Sequence, residues 1–396
     1  MLSSFKKGEV LNGLRKDAGL IRLECPHRPP CPGCPRFGEP GIALTARAAL
    51  EELTRLHRLP DPAVVTGEIA GFRHRARLAI RGRLGSPKIG LFELGTHRVV
   101  HIPNCSVHHP LINHVANVVR RALVEAKVSC YSDAAHLGSA RYLQVVVERG
   151  SQAAQVVVVA NTETPEPLAG CLDLIRERLG KDLHSLWFNA NLGRSNTILG
   201  AEFQNWCGPA GVVERFGGAA VHYPPGAFGQ SNLDMAQLIV EHVRGQIPAG
   251  SRVVEFYAGV GAIGLSILPQ VAEIKMNELN PHSLRGLELG LEELNAAERA
   301  KVAVIPGEAG AARSAASDVP IVIADPPRKG LDPQLSDHLS QVPPERLIYI
   351  SCEIESLRRD AVQLTAHGKL RLAGLTAFNL MPFTEHVETV ARFERC

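Results

Sequence analysis

The chain has 396 residues, longer than one ordinary hydrophobic core requires, because single domains cluster at about 100–200 residues; two or three domains are predicted. Apolar residues make up 45% and charged residues 21%, the proportions of a folded globular protein, and no apolar run approaches the ~18 residues of a membrane span. The net charge of +3 is unevenly spread: residues 1–100 hold 17 Lys and Arg against 9 Asp and Glu, which suits either a bound polyanion or a solvated basic surface.

The amino terminus, MLSSFKKGEVLNGLRKDAGL, lacks the uninterrupted apolar core and small-residue cleavage site of a signal peptide, so the expected location is the cytoplasm. In that reducing compartment the nine cysteines read as metal ligands or nucleophiles rather than disulfides. Residues 21–37, IRLECPHRPPCPGCPRF, are too crowded with Pro and Cys to form a long regular element and predict a loop that needs a ligand to order it. Cys25, Cys31 and Cys34 in this loop, together with distant Cys105 in IPNC, offer four thiolates, which by spacing alone suit zinc and a four-iron, four-sulfur cluster equally well.

Helical periodicity follows at 43–56, then alternation typical of short antiparallel strands across 64–103, with a turn at 82–85. Arg73, Arg75, Arg77, Arg81 and Arg83 alternate along this stretch and can run along phosphates or simply form a solvated face. A helix is predicted at 110–126, a hairpin at 141–161 around Gly150, and a helix at 166–179. The middle of the chain therefore reads as an α+β domain.

Beyond about Val221 the composition changes: apolar strands at VVEFYA, IKMNE, IVIADPP and LIYISC alternate with helical stretches, the pattern of a parallel sheet with crossover helices. The predicted organisation is a cysteine-rich segment at 1–40, a central α+β domain at 41–220 and a doubly wound α/β domain at 221–396, with its ligand at the carboxyl ends of the strands. Residues 253–264, VVEFYAGVGAIG, run from a strand through a glycine turn into a helix. Gly259 and Gly261 allow the backbone to approach a ligand, and Glu278 ends the next strand where a carboxylate can accept ribose hydroxyls. This pair alone fits a dinucleotide enzyme equally well. Asp325, followed by two prolines that keep the chain extended at a third strand end, is what a methyltransferase acting on nucleobases uses to present a carboxylate and a rigid wall to a planar ring.

Cys352 ends the strand LIYISC beside the same crevice. Carbon 5 of uracil is a poor nucleophile, so a group must first add to carbon 6; a thiolate adding there makes an enolate whose carbon 5 accepts a methyl group, after which a base removes the carbon 5 proton and the thiol leaves. Lowering of the thiol pKa is expected from Arg328, Arg358 and Arg359. The proton acceptor is sought in PFTEHVETV, where a spacing of two is expected to put His386 and Glu388 on one strand face and Glu385 on the other, which favours Glu388.

These residues resemble the bacterial RNA 5-methyluridine methyltransferases, over nearly everything from Cys25 onward. FGQSN at 228–232 corresponds to that family's Phe-x-Gln-x-Asn, DPPR at 325–328 to its Asp-Pro-Pro-Arg, Ser351-Cys352 to its nucleophile strand and HVE at 386–388 to its base motif; residues 189–200 resemble the stretch preceding the glutamine motif. The resemblance implies a class I, Rossmann-like methyltransferase domain, Cys352 as nucleophile and Glu388 as base. It further implies that Gln230 and Asp325 hold the cofactor or the uracil edge, and that Tyr257 and Glu278 contact parts of S-adenosyl-L-methionine. Ala258 and Ala262 stand where Cys and Asn are usual in the glycine turn. For Cys25, Cys31, Cys34 and Cys105 it implies a [4Fe-4S] cluster that pins the Pro-rich loop. RNA is the implied partner, with 23S rRNA preferred because the cluster goes with the ribosomal members; no membrane is involved and a monomer is expected. About twenty residues precede Cys25, too few for the small N-terminal TRAM barrel that many relatives carry.

Overall fold

The structure is a computed structural model that describes residues 10–11, 14–17, 20–39 and 41–396. The chain forms two compact units, each assembled from discontinuous segments. Among the described residues no helix is long and apolar enough to cross a membrane.

The first unit takes the described residues up to Cys34, then Glu68–Val213 and Gly229–Leu233. Its frame is a seven-stranded sheet in the order Phe203–Cys207, Leu183–Ala190, Ala154–Ala160, Ala140–Val147, Arg75–Arg83, Ser86–Phe92 and Val99–His101. Arg75–Arg83 and Ser86–Phe92 form the predicted hairpin over the turn at 84–85, and Ala140–Val147 pairs antiparallel with Ala154–Ala160 around Gly150. The predicted helix at 110–126 is Pro110–Glu125, started by a proline at its first position and by His109, whose ring accepts from the Leu111 amide. The helix predicted at 166–179 opens as the 3₁₀ turn Glu166–Leu168 and continues as Ala169–Leu179. Both helices lay their apolar faces on one side of the sheet, burying Ile112, Val115, Val119, Leu172 and Ile175 against Leu143, Val145, Val156 and Val158.

The arginines of the row divide between exposed Arg77 and Arg83 and buried Arg75 and Arg81. Arg81 donates to both Asp133 oxygens, at 2.6 and 2.9 Å, and to the Ile80 and Arg141 carbonyls, each at 2.8 Å; its guanidinium lies about 5 Å from the rings of Phe92, Tyr131 and Tyr142. Arg77 donates to Gln144 at 2.8 Å, and Arg73 turns toward the cysteine cavity described below. Alternation placed Arg75, Arg77, Arg81 and Arg83 on a strand, but it did not show that Arg81 is buried against protein partners.

The second unit takes Pro35–Gly67, Glu214–Phe228 and Asp234–Cys396. The boundary expected at residue 41 therefore falls at Cys34, and Leu44–Leu56 joins this unit because Ile42, Ala46, Leu50 and Leu53 belong to its hydrophobic core. Its eight-stranded sheet has the order Val302–Pro306, Glu273–Glu278, Arg252–Phe256, Ile321–Ala324, Arg346–Ser351, Glu388–Arg395, Leu370–Phe378 and Ala63–Val65. The five strands from Val302–Pro306 to Arg346–Ser351 are parallel, and Glu388–Arg395 is inserted antiparallel beside the last of them. Strand direction of advance reverses between Arg252–Phe256 and Ile321–Ala324, which creates a crevice at the carboxyl ends of those two strands. The sheet interior is dry: Val254, Phe256, Val322, Ile323, Leu347, Ile348 and Tyr349 are fully buried.

Candidate active site

The strand ends deliver Tyr257, Glu278, Asp325 and Cys352 to one edge of the sheet. Tyr257 and Asp325 flank the reversal point, because Phe256 is in register with Ala324. The turn after Arg252–Phe256 is tight: Tyr257, Gly259 and Gly261 all have positive φ, of 61°, 59° and 82°. A side chain on Gly264 would meet the Glu255 carboxylate and the Met276 sulfur, each at 2.4 Å, so this glycine is required by packing. Tyr257 is a non-glycine residue held left-handed, a conformation that persists only where neighbours impose it. Its hydroxyl accepts from the Asp332 amide at 2.9 Å, which ties the turn to the start of the helix Pro333–Gln341.

Glu278 accepts from the Gly259 amide at 2.7 Å through one oxygen and from the Leu279 and Asn280 amides at 2.9 and 2.6 Å through the other. The carboxylate thus locks the glycine turn to the end of the adjacent strand. Oε2, which accepts only from Gly259, keeps a second lone pair for a ligand.

The segment after Asp325 is held by Asp360, which is buried and accepts from the Leu331 amide at 2.8 Å, the Tyr349 hydroxyl at 2.7 Å and the Arg359 guanidinium at 2.8 and 3.0 Å. Ser356 donates to the Arg328 carbonyl at 2.6 Å. The prolines and these tethers make the Asp325–Gly330 stretch a rigid wall, as its sequence predicts.

Cys352 and Glu388 are brought together by strand register. Ile350 pairs with Val390 and Ser351 with Thr389, so the next antiparallel step sets Cys352 opposite Glu388, and the Thr389 hydroxyl donates to the Ser351 carbonyl at 3.0 Å. Directly opposed side chains stand about 5 Å apart at Cβ. Cys352 is half-buried and Glu388 is buried.

The electrostatics are those of crowded acids in a dry place. Burial, reinforced by Asp325, raises Glu388 well above the usual carboxylate range. Burial pushes Asp325 up to about 7, and burial followed by Asp325 pushes Glu255 up to about 8. Glu255 is a site residue that the sequence reading missed: it lies inside a strand as a lone acid among apolar residues, and that oddity was the available signal. The Cys352 thiol is pushed up to about 11 by burial, then by Glu388 and Asp325, with Arg328 acting in the opposite direction. Arg358 and Arg359, expected to activate the thiol, are engaged elsewhere: Arg358 pairs with Glu52 and Glu355, and Arg359 with Asp360.

His386 and Glu388 do not share a strand face. The strand begins at Glu388, and His386 precedes it in an exposed turn, 3.3 Å from the Arg328 guanidinium. Phe383, with φ of 66°, bends the chain before any strand can form. Glu385 is exposed and accepts from the Thr45 hydroxyl at 3.1 Å. Gln230 lies half-buried in the segment Gly229–Leu233 of the first unit, where the neighbouring Ser231 carbonyl accepts from the His74 amide at 2.7 Å.

In the first unit Cys25, Cys31, Cys34 and Cys105 line one cavity together with Arg73 and His108. No group of three or more Cys, His, Asp or Glu side chains among the described residues is arranged to hold a metal ion as it stands. The charge balance of the cavity is nevertheless informative. Burial, with help from the neighbouring thiols, pushes Cys34 up to about 11, and burial raises Cys31 and Cys105. His108 is pushed down to about 3, chiefly by burial and then by Arg73, and is neutral. The Arg73 Nε is sealed from solvent with no hydrogen-bond partner. A buried guanidinium thus faces thiols whose ionisation burial disfavours.

Comparison with known proteins agrees with this geometry. The tRNA (Uracil-5-)-methyltransferase family model matches residues 313–395, which include Asp325, Cys352 and Glu388. An uncharacterized RNA methyltransferase of Protochlamydia amoebophila is 34% identical over 381 residues, covering 94% of this chain and 98% of that protein. Another, from Geobacter sulfurreducens, is 27% identical over 402 residues, covering 97% of this chain and 79% of that protein. Among solved structures, the Pyrococcus abyssi tRNA (uracil-54, C5)-methyltransferase in complex with S-adenosyl-L-homocysteine shares the fold, with a TM-score of 0.74 at 21% identity over 96% of this chain and 91% of that one. A thiol and a buried carboxylate opposed across two strands, inside the segment that the family model covers, and a relative matched along almost its whole length lead to one conclusion: the chain belongs to the RNA uracil-5 methyltransferase family.

Proposed function

We propose that the protein transfers a methyl group from S-adenosyl-L-methionine to carbon 5 of a uridine in RNA, with Cys352 as nucleophile and Glu388 as base. The observation that carries this reading is the register that sets Cys352 opposite a buried Glu388. S-adenosyl-L-methionine supplies a methyl group on a positively charged sulfonium, and the crevice at the reversal point, with Tyr257, the glycine turn and Glu278, is where this chain would hold it. The Cys352 thiolate uses its electron pair to bond carbon 6, the pair of the carbon 5–carbon 6 double bond moves onto carbon 5, and carbon 5 then bonds the methyl group as the methyl–sulfonium bond breaks and leaves its pair on sulfur. The Glu388 carboxylate takes the carbon 5 proton; that bonding pair restores the double bond, and the sulfur–carbon 6 bond breaks to return the thiolate. The raised pKa of Glu388 suits a proton acceptor, and the rigid Asp325–Arg328 wall suits a planar ring. Arg328 is the cation that favours the thiolate.

RNA held by the family's chemistry is the partner, and ribosomal RNA is the preferred substrate on the ground of the four cysteines. A transfer RNA substrate is the second reading, favoured by the tRNA description of the matching family. For the cavity we propose a [4Fe-4S] cluster held by Cys25, Cys31, Cys34 and Cys105, with Arg73 as buried counter-charge; its role there is structural, holding the Pro-rich loop.

Replacing Cys352 by Ala is expected to abolish methylation while leaving S-adenosyl-L-methionine affinity within a few-fold. Glu388→Gln blocks release rather than attack, so it is expected to accumulate a covalent complex with methylated RNA, seen as a slow band on a denaturing gel that carries labelled methyl and vanishes when Cys352 is also replaced. Normal turnover by either variant refutes its assignment.

The acids give a pH dependence. Asp325 and Glu255 have folded pKa values above those of the unfolded chain, so between about pH 4 and pH 8 the folded protein keeps protons that the unfolded chain has lost, and stability falls as pH rises through that window. A bound sulfonium favours the ionised carboxylates and offsets that loss. The increase in Tm produced by S-adenosyl-L-methionine is therefore expected to be larger at pH 8 than at pH 6, by about 2 °C or more, whereas uncharged-sulfur S-adenosyl-L-homocysteine shows little such difference. A larger increase at pH 6 contradicts this account.

Protein purified without oxygen is expected to be brown and to contain about four irons per chain. Stoichiometric zinc without iron overturns the cluster assignment. Mapping 5-methyluridine in cellular RNA with and without the gene is expected to show its loss from one site in 23S rRNA; loss from transfer RNA instead establishes the second reading.

A further inference from the structure

Residues 379–387 connect Leu370–Phe378 to Glu388–Arg395 and lead directly into Glu388. They contain Phe383 with φ of 66°, a backbone conformation that its surroundings must impose. Arg36 and Phe37 of the same unit pack against Phe383. The Arg36 amide donates to the Phe383 carbonyl at 3.0 Å, and its guanidinium donates to the Thr384 carbonyl at 3.3 Å, the Ile42 carbonyl at 3.3 Å and the Glu39 carboxylate at 2.9 Å. The rings of Phe37 and Phe383 lie 5.2 Å apart. The clamped Thr384 in turn donates to the Met381 carbonyl at 2.7 Å and accepts from the His386 amide at 3.2 Å.

Arg36 is 8% exposed, and its charge is balanced by Glu39 and by Glu385 at 3.9 Å. A planar fork with several fixed donors can bridge three acceptors at once; an ammonium on a flexible stem cannot reproduce that geometry. None of its contacts reaches the strand Arg346–Ser351 that carries Cys352 into the site.

We propose that Arg36 is a positioning residue for proton removal: it fixes the turn from which Glu388 emerges, and so acts on the last step of the reaction and not on the first two. This rests on Glu388 being the base. In that step the Glu388 carboxylate accepts the carbon 5 proton, the freed pair forms the carbon 5–carbon 6 double bond, and the bond from carbon 6 to the Cys352 sulfur breaks. Addition of the thiolate and methyl transfer precede it and do not need Glu388.

The full-length protein carries the test as Arg36→Met, with Arg36→Lys as a milder variant that keeps the charge if Arg36→Met fails to fold. The probes are total RNA from cells lacking the gene, with methyl-labelled S-adenosyl-L-methionine, and the same RNA from cells grown with 5-fluorouracil. Fluorine at carbon 5 cannot be removed as a proton, so covalent capture of that RNA reports addition and methyl transfer alone. Expected for Arg36→Met are turnover reduced by about tenfold or more, accumulation of a methyl-labelled covalent complex on ordinary RNA, and fluorinated-RNA capture within about twofold of the unaltered protein. Arg36→Lys shows the same split to a smaller degree. Unchanged turnover overturns the proposal, as does an equal fall in turnover and capture, which marks a residue needed only for folding. Glu388→Gln in parallel separates the two claims: if it fails to accumulate the complex, the base is elsewhere; if it accumulates the complex and neither Arg36 variant does, the positioning role alone is refuted.

Discussion

The antiparallel seating of Glu388–Arg395 against Arg346–Ser351 is the constraint on which the active site depends. A parallel strand would have delivered its carboxyl end to the crevice; the antiparallel one delivers its beginning, and so brings a residue eight from the chain end opposite a cysteine at 352. Six paired positions fix that register. A slip of one residue would turn every side chain on the strand to the opposite face, and because Thr389, Val390, Ala391 and Phe393 are all buried it would disrupt the packing on both faces, so the core that stabilises the sheet also enforces the alignment of the Cys352 thiol with the Glu388 carboxylate.

Around that alignment the protein stores unfavourable charge. Asp325, Glu255 and Glu388 are buried, and Asp325 makes ionisation of both Glu255 and Glu388 harder than burial alone does. The thiol of Cys352 is likewise reluctant to ionise, and Arg328 together with a backbone hydrogen bond opposes the acids there. Such a cluster costs stability in the empty protein and is balanced when a cation enters. By the same electrostatics, a cationic group entering this region is favoured over a neutral one.

The cysteine cavity of the first unit shows the opposite imbalance. One enclosed cation, Arg73, faces protonated thiols and a neutral histidine. Each unit therefore contains a site whose charge is incomplete on its own, acidic in one and basic in the other.

The sequence by itself determined the elements and most of the chemical vocabulary. Period-two and period-3.6 patterns located the hairpins, the helices on the first sheet and the strands ending in Tyr257, Glu278, Asp325 and Cys352, because side-chain periodicity is a local property of the backbone. Tertiary structure decided what local patterns do not encode. An alternating run of arginines looks the same whether it faces phosphate or, as with Arg81, an acid and three aromatic rings. Arg358 and Arg359 were near Cys352 in sequence, yet the helix Ile354–Thr365 carries them to acidic partners. The turn at Phe383 removed His386 from the strand, and Arg36, more than three hundred residues earlier in the chain, holds that turn. Burial, register and long-range hydrogen bonds are relations between segments, and they set which charges are desolvated and which carboxylate meets the thiol.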